Sequence, residues 1–147
     1  MKLIVTMALS CALLACGATG PGGGAPLELT SGTSFGMCGG YCVTELRIDS
    51  VSVTLTETSQ VMDLPARVRT LPLSPAEWNR LQARVDTAAF RELEGIHGCP
   101  DCADGGAEWI QLETDEPIRV TFEYGAVLEG IAELQDEIRD LRARFEP

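Results

Sequence analysis

Four cysteines in two close pairs, Cys38 with Cys42 and Cys99 with Cys102, are the residues whose type and spacing best suit chemistry. The second pair sits in a loop reading Gly98-Cys99-Pro100-Asp101-Cys102-Ala103-Asp104-Gly105-Gly106, directly after His97, the only histidine of the chain. Such spacing serves a thioredoxin-like redox centre, half of a zinc site, or a structural staple. A redox centre needs its first thiol held as a thiolate, commonly by the N-terminus of a following helix. Here Phe90 to Glu94 reads as helix before the motif, and Ala103-Asp104-Gly105-Gly106 reads as a turn leading into a strand. Glu94, Asp101 and Asp104 add negative charge nearby, which raises a thiol pKa. An envelope thiol–disulfide oxidoreductase using Cys99 and Cys102 is therefore the alternative reading and not the leading one.

The amino-terminal residues decide between the other two. Lys2 precedes an apolar run from Leu3 to Leu14 and a small residue, Ala15, the layout of a signal peptide too short to span a bilayer. Leu13-Leu14-Ala15-Cys16 resembles a bacterial lipobox. The resemblance implies cleavage before Cys16, lipidation of that cysteine, and attachment to a membrane by more than one acyl chain, which holds far more firmly than one. Gly17, rather than an aspartate, implies outer-membrane sorting in a Gram-negative cell. Residues 1–15 are thus expected to be a lipoprotein signal peptide. Residues 16–25, glycine-rich and without apolar periodicity, are expected to be a flexible tether. No Gly-Lys-Ser/Thr follows these glycines, so they are not a phosphate loop.

Export to an oxidising compartment favours disulfides over thiolate ligands, because thiols oxidise before they can hold zinc. Cys11 leaves with the leader and Cys16 carries lipid, which leaves an even set: Cys38, Cys42, Cys99 and Cys102. A zinc-binding domain using all four is a further alternative. His97 with Asp101 and Asp104 offers metal-ligating types, but aspartates in a glycine-rich turn more commonly cap the turn. No metal and no cofactor are expected. On chain entropy alone, crossed connectivity is favoured over local pairing. Joining the two motifs closes a loop worth about 4 kcal/mol, against about 2 kcal/mol for each small local ring.

Composition removes other classes. The formal net charge is −11. Lys2 is the sole lysine, so loss of the leader makes the mature chain still more acidic. That field repels phosphate backbones, so no nucleic-acid partner is expected. The lack of lysine in the mature chain excludes Schiff-base chemistry. A hydrolytic triad would have to use His97, poorly framed in a glycine-rich turn. Aromatics make up 5% of the chain, too few for sugar-stacking platforms, and Trp78 and Trp109 are expected in the core. Asp101, Asp104 and Glu108 lack the oxygen spacing of a calcium loop. No catalytic residue is assigned.

Residues 26–147 have the length of one domain. Leu27-Glu28-Leu29 starts an alternation that fades through Ser31-Gly32-Thr33. Val43 to Ile48 and Val51 to Thr56 alternate around the turn Asp49-Ser50, which predicts a hairpin. Ala66 to Leu71 reads as a further strand. Ser74-Pro75-Ala76-Glu77 is a capping box with proline at the first helical position. The helix after it carries Trp78, Leu81 and Val85, with Phe90 and Leu93 continuing beyond a break at Thr87. Glu108 to Glu113 and Ile118 to Tyr124 read as strands, the latter with Ile118, Val120, Phe122 and Tyr124 inward. A long helix from Val127 to Phe145 bears an apolar stripe of Leu128, Ile131, Leu134, Ile138, Leu141 and Phe145. The expected fold is α+β, a two-layer sandwich: an antiparallel sheet of about five strands with two helices on one face.

This order, with Phe35-Gly36-Met37-Cys38-Gly39-Gly40-Tyr41-Cys42 feeding the first hairpin, resembles a bacterial domain family of unknown function. GCPDCADGGAEW is similar to a segment of uncharacterised secreted proteins. The resemblance implies a fold and no activity. It also implies local pairing, Cys38 with Cys42, since the family has the first pair without the second. The expected function is a membrane-anchored lipoprotein domain with a non-enzymatic binding or envelope role, its membrane partner reached through the N-terminal lipid.

Replacing Cys16 with serine in a Gram-negative host is expected to abolish acyl labelling and move the protein from the membrane to the soluble fraction. Labelled palmitate and fractionation measure this.

Overall fold

The computed structural model describes residues 28–146, so the leader, Cys16 and the tether lie outside the described residues. The strands are β1 (Glu28–Ser34), β2 (Val43–Ile48), β3 (Ser52–Thr58), β4 (Arg67–Pro72), β5 (Gly95–His97), β6 (Ala107–Glu113) and β7 (Ile118–Glu123). The helices are α1 (Pro75–Ala83), α2 (Thr87–Glu92) and α3 (Ala132–Ala143), with 3-10 turns at Cys102–Asp104 and Glu129–Ile131. One seven-stranded sheet runs in the order β4-β3-β2-β1-β6-β7-β5. Every neighbouring pair is antiparallel except β5 with β7, which is parallel.

The class is α+β, but the expected two-layer sandwich of about five antiparallel strands and two helices is corrected. The sheet has seven strands and is mixed, and there are three helices. Three local causes account for the difference. Strand β1 does not fade: Ser31 and Thr33 keep full pairing on both sides through Ser34. Asp86 accepts from the Ala88 and Ala89 N–H groups and so caps a separate α2. Gly95, at φ +115°, lets the chain leave α2 and lay a three-residue strand along β7.

The last helix is shorter than its apolar stripe suggests. Gln135 is buried, accepts from the Leu128 N–H at 2.8 Å and donates to the Ala126 carbonyl at 3.0 Å. Those bonds hold residues 126–128 off the helix axis, and a 3-10 turn leads into α3 instead. At α1 the capping box forms as read, with Ser74 accepting from the Glu77 N–H and the Glu77 carboxylate returning to the Ser74 N–H. The hairpin turn is Asp49-Ser50-Val51, one residue longer than expected, because Asp49 accepts from both the Val51 and Ser52 N–H groups at 2.8 Å.

Register sorts the two faces of the sheet. One face carries Leu29, Ile48, Val53, Leu112 and Ile118 in a cross-strand row, and Leu46, Leu55, Ile110 and Val120 in the next. These join Leu73, Trp78, Leu81, Phe90, Leu134, Ile138 and Leu141 from the helical side in one core. Burying each such side chain stabilises by roughly 1.5–3 kcal/mol. The exposed edges are guarded: β5 is short, and β4 carries Arg67 and Arg69 and ends on Pro72.

Trp109 departs from the expected core. It is 8% exposed but lies on the opposite face, flat over Gly32, with the Arg119 guanidinium 4.6 Å from its ring centre. A Cβ at residue 32 would meet the indole at 1.9 Å, so only glycine fits beneath it. Tyr124, expected inward, is half-exposed beyond the end of β7.

Gly32→Ala is expected to displace the indole, cost about 1–3 kcal/mol and red-shift Trp109 emission, read by urea unfolding and fluorescence. The Asp49 carboxyl is held below its usual range, chiefly by the Val51 N–H and also by Ser52, against slight burial. Its contribution is present above about pH 4 and is lost as pH falls through the lowered folded value. Asp49→Asn is expected to flatten stability against pH in that acid range, measured by urea melts at successive pH values.

Candidate functional site

The two cysteine loops meet at one end of the sheet. The first, between β1 and β2, is closed at its neck by the Phe35 N–H to Cys42 carbonyl bond at 3.0 Å. It is tied to β3 by the Cys42 N–H to Thr58 carbonyl bond, also 3.0 Å. The Cys38 and Cys42 sulfurs stand at disulfide distance, 2.11 Å, with Cα atoms 5.6 Å apart. Cys42 is 2% exposed while Met37 at the loop tip is 80% exposed.

The second loop, between β5 and β6, holds Cys99 and Cys102 as a second pair at disulfide distance, with Cα atoms 5.5 Å apart. Both of these cysteines are exposed. Asp101, Ala103 and Asp104 all have φ between 52° and 62°, a left-handed conformation that costs non-glycine residues energy. Compensating bonds hold it: Asp101 N–H to the Gly106 carbonyl at 3.0 Å and Cys99 N–H to the Glu123 carboxylate at 2.8 Å. His97 points its Nε2 at the Leu93 carbonyl, 2.6 Å away.

Two contacts join the loops, and a third ties the first loop to the end of β7. The Gly36 N–H donates to Asp101 Oδ1 at 3.2 Å. The Phe35 ring lies on Gly106, where a Cβ would fall 2.4 Å from the ring. Phe35 also meets Tyr124 edge to face, with centroids 4.9 Å apart. Both cysteine pairs are local, so the entropic preference for crossing is not taken up. The loops dock through Asp101, Phe35 and Gly106, and the cysteines turn back on their own strands. No α-helix starts at Cys102; a single 3-10 turn with left-handed Ala103 leads to β6. Among the described residues no group of three or more His, Cys, Asp or Glu side chains is gathered as a metal site.

Glu108 parts company with its sequence neighbours. Asp101 and Asp104 stay in the exposed loop, whereas Glu108 is 3% exposed on the helix-covered face, in a cross-strand row with Thr33 and Thr44. From α3, Arg142 donates to Thr44 Oγ1 at 2.6 Å and to Ser31 Oγ at 3.1 Å. Arg139 donates to the Ala126 carbonyl at 3.0 Å and stands 3.7 Å from Glu108. Burial pushes the Arg142 guanidinium down from its ordinary value, and Glu108 opposes the shift. The reading from sequence took in the apolar stripe of this helix and missed the cluster. The available signal was Leu29-x-Ser31-x-Thr33, which sets two hydroxyls on the same face as a core leucine. Neither the protein-family models nor the curated proteins compared with the chain give a match.

Replacing Cys38 and Cys42 with serine is expected to cost about 2 kcal/mol from loop entropy, plus a penalty for a hydroxyl at the buried Cys42 position. The same change at exposed Cys99 and Cys102 is expected to cost less. Denaturant midpoints of the two double variants measure the difference.

Proposed function

We propose that this chain is a lipid-anchored bacterial envelope domain with a non-enzymatic binding role, tethered through Cys16 to the outer membrane. Its binding surface is the end of the sheet formed by residues 35–42 and 97–106. The observation that carries the reading is the docking of the two loops, through the Gly36 N–H to Asp101 bond and Phe35 on Gly106. Each loop is clamped at its base and joined to the other, so their shared surface is pre-organised, which lowers the entropic cost of binding. Met37 projects from it as an adaptable apolar contact. The two cysteine pairs act in this reading as inert staples.

The exposure of Cys99 and Cys102 favours one rival, an envelope thiol–disulfide oxidoreductase. Against it stand the lack of a helix N-terminus after the motif and the acidic side chains Asp101 and Asp104 in the same loop. Insulin reduction and a measured reduction potential separate the two. The binding reading expects no insulin reduction and both pairs more reducing than about −300 mV. Catalysis of insulin reduction with a potential in the range of disulfide-exchange enzymes overturns it.

A further inference from the structure

We propose that the cavity between the C-terminal half of α3 and the start of β6 binds a small zwitterion of the α-amino-acid class. The cavity has a volume of ≈ 200 Å³ and is lined by Thr33, Glu108, Tyr124, Gly125, Arg139 and Arg142, among others. That is room for several waters. It falls below the roughly 300–1,000 Å³ of pockets for drug-sized ligands, so the guest has few non-hydrogen atoms.

The walls carry charge that is only partly matched. The Glu108 carboxylate receives a long bond from the Gly125 N–H at 3.4 Å and faces Arg139 at 3.7 Å, beyond direct hydrogen bonding. Its Oε1 accepts no hydrogen bond from a described residue, and since every fully buried side-chain oxygen among them has a partner, this atom opens to the cavity. An ionised carboxylate is an acceptor only, so a donor on a guest in the cavity can bond to this oxygen. Arg142 uses one N–H on each terminal nitrogen, to Thr44 and Ser31, which leaves donors of its five for a guest. A carboxylate between the two guanidinium groups and an ammonium against Glu108 would satisfy both sets. An α-amino acid bears both charges on one carbon, which suits a cavity whose lining sets a carboxylate and a guanidinium side by side, 3.7 Å apart. The net charge of −11 opposes entry of a free anion and does not oppose a neutral zwitterion. The site needs neither the lipid anchor nor the loop surface, though Tyr124 lines both this cavity and the hollow beside Cys99 and Cys102.

Calorimetry and amide chemical shifts of the whole protein in detergent test this, with L-alanine, acetate and ethylammonium as probes at equal ionic strength. L-Alanine is expected to bind with a Kd near or below about 1 mM and to move the Gly125 amide. Acetate and ethylammonium are expected to bind at least about tenfold more weakly. Glu108→Gln and, separately, Arg139→Gln are expected to weaken L-alanine by about tenfold or more, while Arg119→Gln on the opposite face leaves it unchanged. Absence of L-alanine binding, or binding of either single-charge probe as tight as L-alanine, overturns the proposal. The probe comparison on the unaltered protein decides the matter even where a variant fails to fold.

Discussion

Strand β1 is hydrogen-bonded along its whole length on both sides, to β2 and to β6, and the rest of the domain is arranged around that double register. Leu29 meets Ile48 and Leu112, which starts the apolar core. Gly32, facing the other way, leaves the gap that Trp109 fills. Thr33 meets Thr44 and Glu108, which sets a polar row beneath α3. A shift of one residue would turn each of these to the wrong face at once. Because β6 lies some eighty positions further along the chain, this pairing is also the long-range contact with a large loop-closure cost.

The helix-covered face grades from apolar at one end to polar at the other. Toward the turn of the β2–β3 hairpin it is leucine, isoleucine and valine; toward the cysteine loops it is threonine, glutamate and arginine. Apolar burial supplies the stability at the first end. At the second, α3 answers the sheet with Arg139 and Arg142, so polar groups are paired instead of merely enclosed. No fully buried side-chain nitrogen or oxygen among the described residues lacks a hydrogen-bond partner. The remaining space lies where that polar end opens, beside Tyr124 and Gly125.

The loop end depends on the same strand. Residue 35 follows β1 directly, and its ring, set by the strand, packs on Gly106 and Tyr124 at the ends of β6 and β7. Of the three left-handed non-glycine residues in the second loop, Asp101 is held by bonds to Gly106 and to Gly36. Local strain is thus balanced by contacts that exist only once the sheet has formed.

The sequence by itself determined what local chemistry controls. The Ser74–Glu77 capping box, the β2–β3 hairpin, the strand from Ile118 and the apolar stripe of α3 were legible, because each rests on neighbours within a few residues. The four cysteines were legible as candidates, and their spacing allowed a local or a crossed pairing. Tertiary structure alone decided which of these the chain takes, since chain entropy cannot see that Phe35 and Asp101 dock the loops. It decided the face of Trp109, which depends on a glycine far away in the chain. It decided the edge strand β5, too short for periodicity to reveal, and the early end of the last helix, where a buried glutamine takes the backbone bonds. Above all it gathered Thr33, Glu108, Arg139 and Arg142, whose separation in sequence hides them and whose cross-strand register and helix docking bring them together.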